Sequence, residues 1–325
     1  MAKKKLPDIV KVVQKYKPIE VDYKKHKTIS FSQYQIFSQC PHKWALLYRD
    51  GHYTSEFSIH MTFGTAMHET LQHYLEVMYN QSIAAADRED IIELFEEKLR
   101  TQYKQDYEKN NKTHFSSATE LREFFEDGSA IISWFQKNKG KYFSKRSNYL
   151  IGCEIPLIIH PNEDFPNIIY KGFIDLVIYD EANNRVKIID FKTSTRGWKQ
   201  KEKGDEVKNS QLLLYKKFFA EQFDFPIENI DVEYIILKRK INEESEFPDK
   251  RIQIHKPTAG KIKLNQATNK FNTFIELAFS PSGTYNQHIQ EAIPSKWNCS
   301  YCVFKNRKDL CQYSYLDLTT EKTKS

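Results

Sequence analysis

Asp175, Asp190 and Lys192 are the residues of this chain whose types and spacing could do chemistry. They lie on two runs of strand-forming residues, Gly172–Tyr179 and Arg185–Lys192, joined by the polar stretch Asp180–Asn184. Two such runs around a short polar turn predict an antiparallel hairpin. A strand period of two puts Asp190 and Lys192 on one face and turns Phe191 to the other, toward a core. Asp175 reaches the Asp190 face from the neighbouring strand. Ionised carboxylates within apolar strands are costly unless something offsets their charge. A divalent cation is the expected offset. A few hard oxygen ligands suit Mg2+ or Mn2+, which keep waters and take further ligands from phosphate. Such an ion activates water and polarises a phosphoryl group. Lys192 would orient that water or neutralise developing negative charge. The chemistry expected is phosphodiester hydrolysis; the alternative, for the hairpin alone, is a surface pair of strands whose charges meet in solvent.

The hairpin needs a scaffold. A chain of 325 residues can bury a large core, as one elaborated unit or two. Apolar residues recur at three- and four-residue steps over His68–Asn80, Arg88–Lys109 and Ala118–Lys137, which predicts helices. Strands are predicted at Tyr149–Ile159, Ile168–Tyr179 and Arg185–Phe191, then a helix over Ser210–Gln222. Further strands follow at Ile230–Leu237 and near Arg251–His255, and a helix over Pro257–Phe279. This order predicts an α/β fold. Residues 1–27 are lysine-rich and expected to be loosely ordered. Residues 28–325 are expected to form one domain: a helical lobe over about 64–148, a core over about 149–240, and a C-terminal helix and cysteine region over about 241–315.

The cysteines are the second feature. There are five, an odd number, with no signal-like segment and no long apolar stretch. A soluble, intracellular (cytoplasmic) protein without disulfides or membrane contact is expected. Cys299 and Cys302 form a CxxC, Cys311 follows after eight residues, and Cys40 lies far upstream. Four such thiolates suit a 4Fe–4S cluster or structural zinc. Either would tie distant parts of the chain together, worth on the order of 5 kcal/mol if the closure entropy of a disulfide is a guide. Cys153, beside an apolar strand, is expected to be a small buried hydrophobe.

The formal charge of +6 is modest but compatible with a polyanionic partner if the cations share a face. Thr193–Lys203, which follows Lys192 directly, carries Arg196, Trp198 and Lys199, a composition suited to stacking on a base while holding phosphates. A solvated loop is the alternative. No GxxxxGK[ST] phosphate loop occurs, so any unwinding must come from a partner.

Six segments occur in a fixed order: Ser30–Trp44, Phe63–Glu69, Glu154 on a strand, the hairpin, Gln211–Tyr215, and Cys299 with Cys302 and Cys311. Together they resemble the PD-(D/E)XK nuclease superfamily. They are most similar to its RecB-like branch, which includes CRISPR-associated spacer-processing nucleases and AddB-type iron–sulfur exonucleases. The resemblance implies a restriction-endonuclease-like core, a central mixed β-sheet flanked by helices, with a helical insertion and a C-terminal cysteine cluster. It implies that His68, Asp175, Asp190 and the Phe191 carbonyl hold the metal, that Lys192 is the catalytic lysine, and that Glu154 lies near the metal or binds a second one. Gln211 and Tyr215 would flank the active site and contact DNA. Cys40, Cys299, Cys302 and Cys311 would hold a 4Fe–4S cluster. The relatives' last cysteine spacing is shorter than the one here, which keeps zinc, or a lost site, open. The implied activity is that of a metal-dependent exonuclease on single-stranded DNA ends, with a helicase or a recombination or replication partner. An endonuclease, a flap-trimming enzyme and a non-catalytic DNA-binding scaffold are the alternatives.

Overall fold

The computed structural model describes residues 6–52, 56–242, 250–288 and 290–313. In chain order the main elements are α1 (Asp8–Lys15), β1 (Lys27–Ile29), α2 (Phe31–Gln39), α3 (Pro41–Trp44), a π-helical turn over Ala45–Arg49, α4 (Ile59–Asn80), α5 (Ile83–Ala86), α6 (Ile91–Lys109), α7 (Ala118–Asn138), β2 (Asn148–Ile159), β3 (Ile168–Asp180), β4 (Arg185–Ser194), α8 (Gln200–Lys203), α9 (Glu206–Phe223), β5 (Ile230–Lys238), β6 (Ile252–His255), α10 (Lys261–Ala278) and α11 (Lys296–Ser300). The strands form a mixed sheet in the order β1-β3-β4-β5-β6, with β2 also on β3. β3–β4 and β5–β6 are antiparallel, and β1–β3 and β4–β5 parallel. The α/β class and the flanked mixed sheet are those expected. Among the described residues, no helix is long and apolar enough to cross a membrane.

The chain divides into two compact units. The first comprises residues 1–18, 56–157 and 173–264. In it, the buried stripe Phe63, Met67, Leu71, Tyr74 and Met78 of α4 joins one core with Leu176, Ile178, Ile189, Phe191, Ile235 and Leu237 on one sheet face. Phe95 of α6 and Ile131 and Phe135 of α7 complete that core. α6 and α7 approach so closely at Gly128 that a Cβ there would stand 2.3 Å from Phe95 Cε1. The opposite sheet face carries Tyr234, paired in register with Asp190, and its hydroxyl donates to the Lys208 carbonyl of α9 at 2.6 Å. The β3–β4 turn closes as expected of its polar sequence. Asp180 Oδ1 accepts from the Ala182 N–H at 3.0 Å, and Asn184 takes φ +50°, a conformation asparagine tolerates.

Of the described residues, the second unit comprises 19–52, 158–172, 265–288 and 290–313. Trp44, fully buried, meets Phe37, Phe274, Phe279 and Tyr285 edge to face, with ring centres 5.5–5.8 Å apart.

Several boundaries differ from expectation. The lysine-rich start is not loose throughout: Asp8–Lys15 is helical because Val10 and Val13, three residues apart, are both buried. The helix carrying His68 begins at Ile59, where Ser58 caps it by accepting from the Met61 N–H. α10 begins at Lys261 rather than Pro257; Gly260, just before it, disfavours extension of the helix toward the N-terminus.

Candidate active site

The site lies in the first unit and draws on four elements. α4 carries Gly64, His68 and Gln72 at four-residue steps, which places them along one stripe. A Cβ at Gly64 would lie 3.6 Å from Thr193 Oγ1, so this stripe runs against the end of β4. β4 supplies Asp190, Phe191 and Lys192; β3 supplies Asp175; β2 supplies Glu154. The Leu176–Ile189 pairing makes Asp175 and Asp190 the next positions along the two strands.

The geometry is close. His68 Nδ1 lies 3.3 Å from Asp175 Oδ2, and the same oxygen accepts from the Phe191 N–H at 2.8 Å. Lys192 Nζ lies 2.8 Å from Asp190 Oδ2 and 5.8 Å from the centre of the Tyr234 ring. Gln72 Nε2 donates to Glu154 Oε1 at 2.7 Å and to the Asp175 carbonyl at 2.9 Å. His68, Asp175, Asp190 and Lys192 are thus brought together, with Glu154 joined to them through Gln72. Phe191 faces the core, as its place in the strand period requires.

Burial sets the protonation states. Asp190 is 1 % exposed. Burial pushes its carboxyl up to about 6, against the pull of Lys192 and with that of Asp175. Burial likewise raises Asp175 to about 6, opposed by Lys192 and by the Phe191 N–H. The His68 imidazole is driven down to about 4 by burial, although Asp190 attracts its proton. Burial also lowers the Lys192 ammonium, but Asp190 and Asp175 outweigh it and the net shift is upward. Near neutral pH the site therefore holds two carboxylates, a neutral imidazole and one ammonium.

Among the described residues, no group of three or more His, Cys, Asp and Glu stands arranged around a common point as a metal site. The carboxylates are turned onto Lys192, the Phe191 N–H and His68 instead. The donor set nevertheless fits a hard divalent cation. Asp190 Oδ2 is buried without a well-aligned hydrogen bond even with Lys192 beside it. The neutral imidazole is free of the proton that would bar ligation.

Glu154 sits at φ +51° within β2, where the alternation of buried and exposed residues lapses. A non-glycine residue there carries roughly 1–3 kcal/mol of strain, a cost that clusters at functional sites. Gln72 was not anticipated. Its spacing of four from His68 was the signal that could have found it.

The remaining expected residues are placed unevenly. Gln211 Nε2 donates to the Tyr215 hydroxyl at 3.1 Å on α9, and Tyr215 is buried. Arg196 and Lys199 are exposed. Trp198 corrects the picture of a loop tryptophan offered to bases. Its ring is buried, packed 4.9 Å from the Tyr234 ring and 5.9 Å from that of His255. Its backbone N–H donates to Gln253 Oε1 at 2.7 Å. The apolar area of the indole outweighs the hydrophilic character of its neighbours, so it fastens the segment instead of projecting from it.

In the second unit, Cys40, Cys299, Cys302 and Cys311 line one pocket with Leu46 and Phe304. Burial pushes the Cys302 and Cys311 thiols up, and the other cysteines of the pocket add to the rise. No three of the four close on a single point. Cys153 stands in the first unit; its thiol is driven well above the usual range by burial, consistent with a small apolar residue.

The sequence model of the PD-(D/E)XK nuclease superfamily matches residues 28–311. No curated protein matches the chain.

Proposed function

The chain belongs to the PD-(D/E)XK nuclease superfamily, and on that premise we propose that it is a Mg2+- or Mn2+-dependent deoxyribonuclease of the RecB-like type, degrading DNA from single-stranded ends. The observation that carries this reading is the meeting of His68, Asp175, Asp190 and Lys192 within hydrogen-bonding distances. His68, Asp175, Asp190 and the Phe191 carbonyl would hold the cation. When bound, the cation supplies an activated water and a Lewis acid for the scissile phosphate. Lys192 does the rest of the electrostatic work. It stays charged beside Asp190, and an ammonium fixed in a partly buried site stabilises charge developing on phosphate better than one free in solvent. Arg196 and Lys199, both exposed, would guide the strand by phosphate contact, with Gln211 and Tyr215 beside them on α9. A helicase that delivers unwound ends, in repair or recombination, is the partner such an activity would need.

End-dependence is tested with one DNA in two forms. With Mn2+ present, a linear single strand is expected to be degraded and the same strand closed into a circle to survive. Cutting of the circle would make the protein an endonuclease or flap-trimming enzyme.

The four cysteines of the second unit would hold a 4Fe–4S cluster. What supports this reading is that the four thiols line one pocket, the donor set that such a cluster takes. Protein purified without oxygen is expected to be brown, and Cys302→Ser to lose that colour. A colourless protein carrying zinc would overturn the iron assignment.

A further inference from the structure

We infer that Gln72 is a positioning residue that holds the Glu154 carboxylate facing the cation site, so that Glu154 contributes to metal binding through this one amide. The inference rests on the nuclease reading above. Gln72 is 6 % exposed, and its Nε2 donates 2.7 Å to Glu154 Oε1 and 2.9 Å to the Asp175 carbonyl. Both neighbours only accept, so the NH2 end of the amide must face them, and its two hydrogens are matched one to each. The Asp175 carbonyl belongs to a metal-site residue on β3, and through it the amide is fixed relative to the site. Glu154 itself is exposed and held at φ +51°. Without Gln72 its side chain would be free to turn to water. Glutamate at position 72 would set an acceptor against two acceptors. Methionine would keep the length and fill the space without donating.

The test is Mn2+ binding followed by electron paramagnetic resonance, in the absence of DNA, with Gln72→Met, Gln72→Glu, Glu154→Ala and the double variant Gln72→Met/Glu154→Ala. Gln72→Met and Glu154→Ala are each expected to weaken Mn2+ binding by roughly 10-fold, within the range of partners that orient metal ligands. The double variant is expected to bind no more weakly than Glu154→Ala, because the amide acts through that carboxylate. Gln72→Glu is expected to bind at least as weakly as Gln72→Met. Melting without metal serves as the control for folding, and a variant that melts early is judged by the other. Unchanged Mn2+ affinity in Gln72→Met, or a double variant weakened by the full product of the two single losses, overturns the inference. A wild-type protein that neither binds Mn2+ nor cleaves DNA would instead overturn the nuclease reading, and this inference with it.

Discussion

Asp190→Asn is expected to lower DNA cleavage by on the order of 10³-fold, and Lys192→Ala by about 10²–10³-fold, and the two losses should differ in kind. Asp190 is almost wholly buried, and its Oδ2 has only Lys192 close by, without a well-aligned hydrogen bond. The asparagine variant keeps the shape and removes the charge, so Mn2+ binding and cleavage should fall together. Lys192→Ala removes a cation from beside Asp190 and should leave Mn2+ binding intact or stronger while cleavage collapses. The expected pH profile also moves. Lys192 is what holds the proton affinity of Asp175 and Asp190 down, so residual activity should appear only at higher pH. Metal-free Asp190→Asn should melt no lower than wild type near neutral pH, because burial raises the Asp190 carboxyl to about 6 and so disfavours the ionised form that the variant removes. End-labelled DNA, a gel and a melting curve suffice. Undiminished cleavage by either variant would remove these residues from the mechanism.

Mn2+ is expected to raise the melting temperature by several degrees near about pH 7.5 and hardly at all near about pH 5. Asp175 and Asp190 titrate at about 6 in the folded protein against 3.8 ordinarily. Between those values the folded state binds more protons than the unfolded one, so these two groups make the metal-free protein less stable as pH rises through 6. His68 runs the other way. With a folded value of about 4 against 6.5, it adds stability as pH rises over that window. Two carboxylates outweigh one imidazole. Above the carboxylate transition the site holds uncompensated charge, which a divalent ion relieves; below it the ion must displace protons. A melting shift equal at the two pH values would mean that the ion binds elsewhere.

Lys192 and Asp190 could be paired from the sequence because strand periodicity is a local, covalent property. Two residues apart on one strand share a face whatever the rest of the molecule does. The same holds for Asp175, brought opposite by a turn of polar residues, and for the helical stripe of α4 that carries His68. Trp198 shows where that logic stops. Its neighbours are cationic and polar, yet the indole is buried against Tyr234 and His255, which belong to strands remote in sequence. Local composition cannot report such a neighbour.

What the chain's order of residues determined on its own was the class of chemistry: two carboxylates and an amine on a hairpin, with family motifs around them, point to phosphodiester hydrolysis before any coordinates. Only the tertiary structure decided who joins them. Gln72 reaches Glu154 and the Asp175 carbonyl across 82 and 103 residues of chain, and four thiols from far-separated segments line one pocket. Such meetings depend on how helices and sheet bury their apolar faces against one another, a cooperative outcome of the whole fold that no short window of sequence contains.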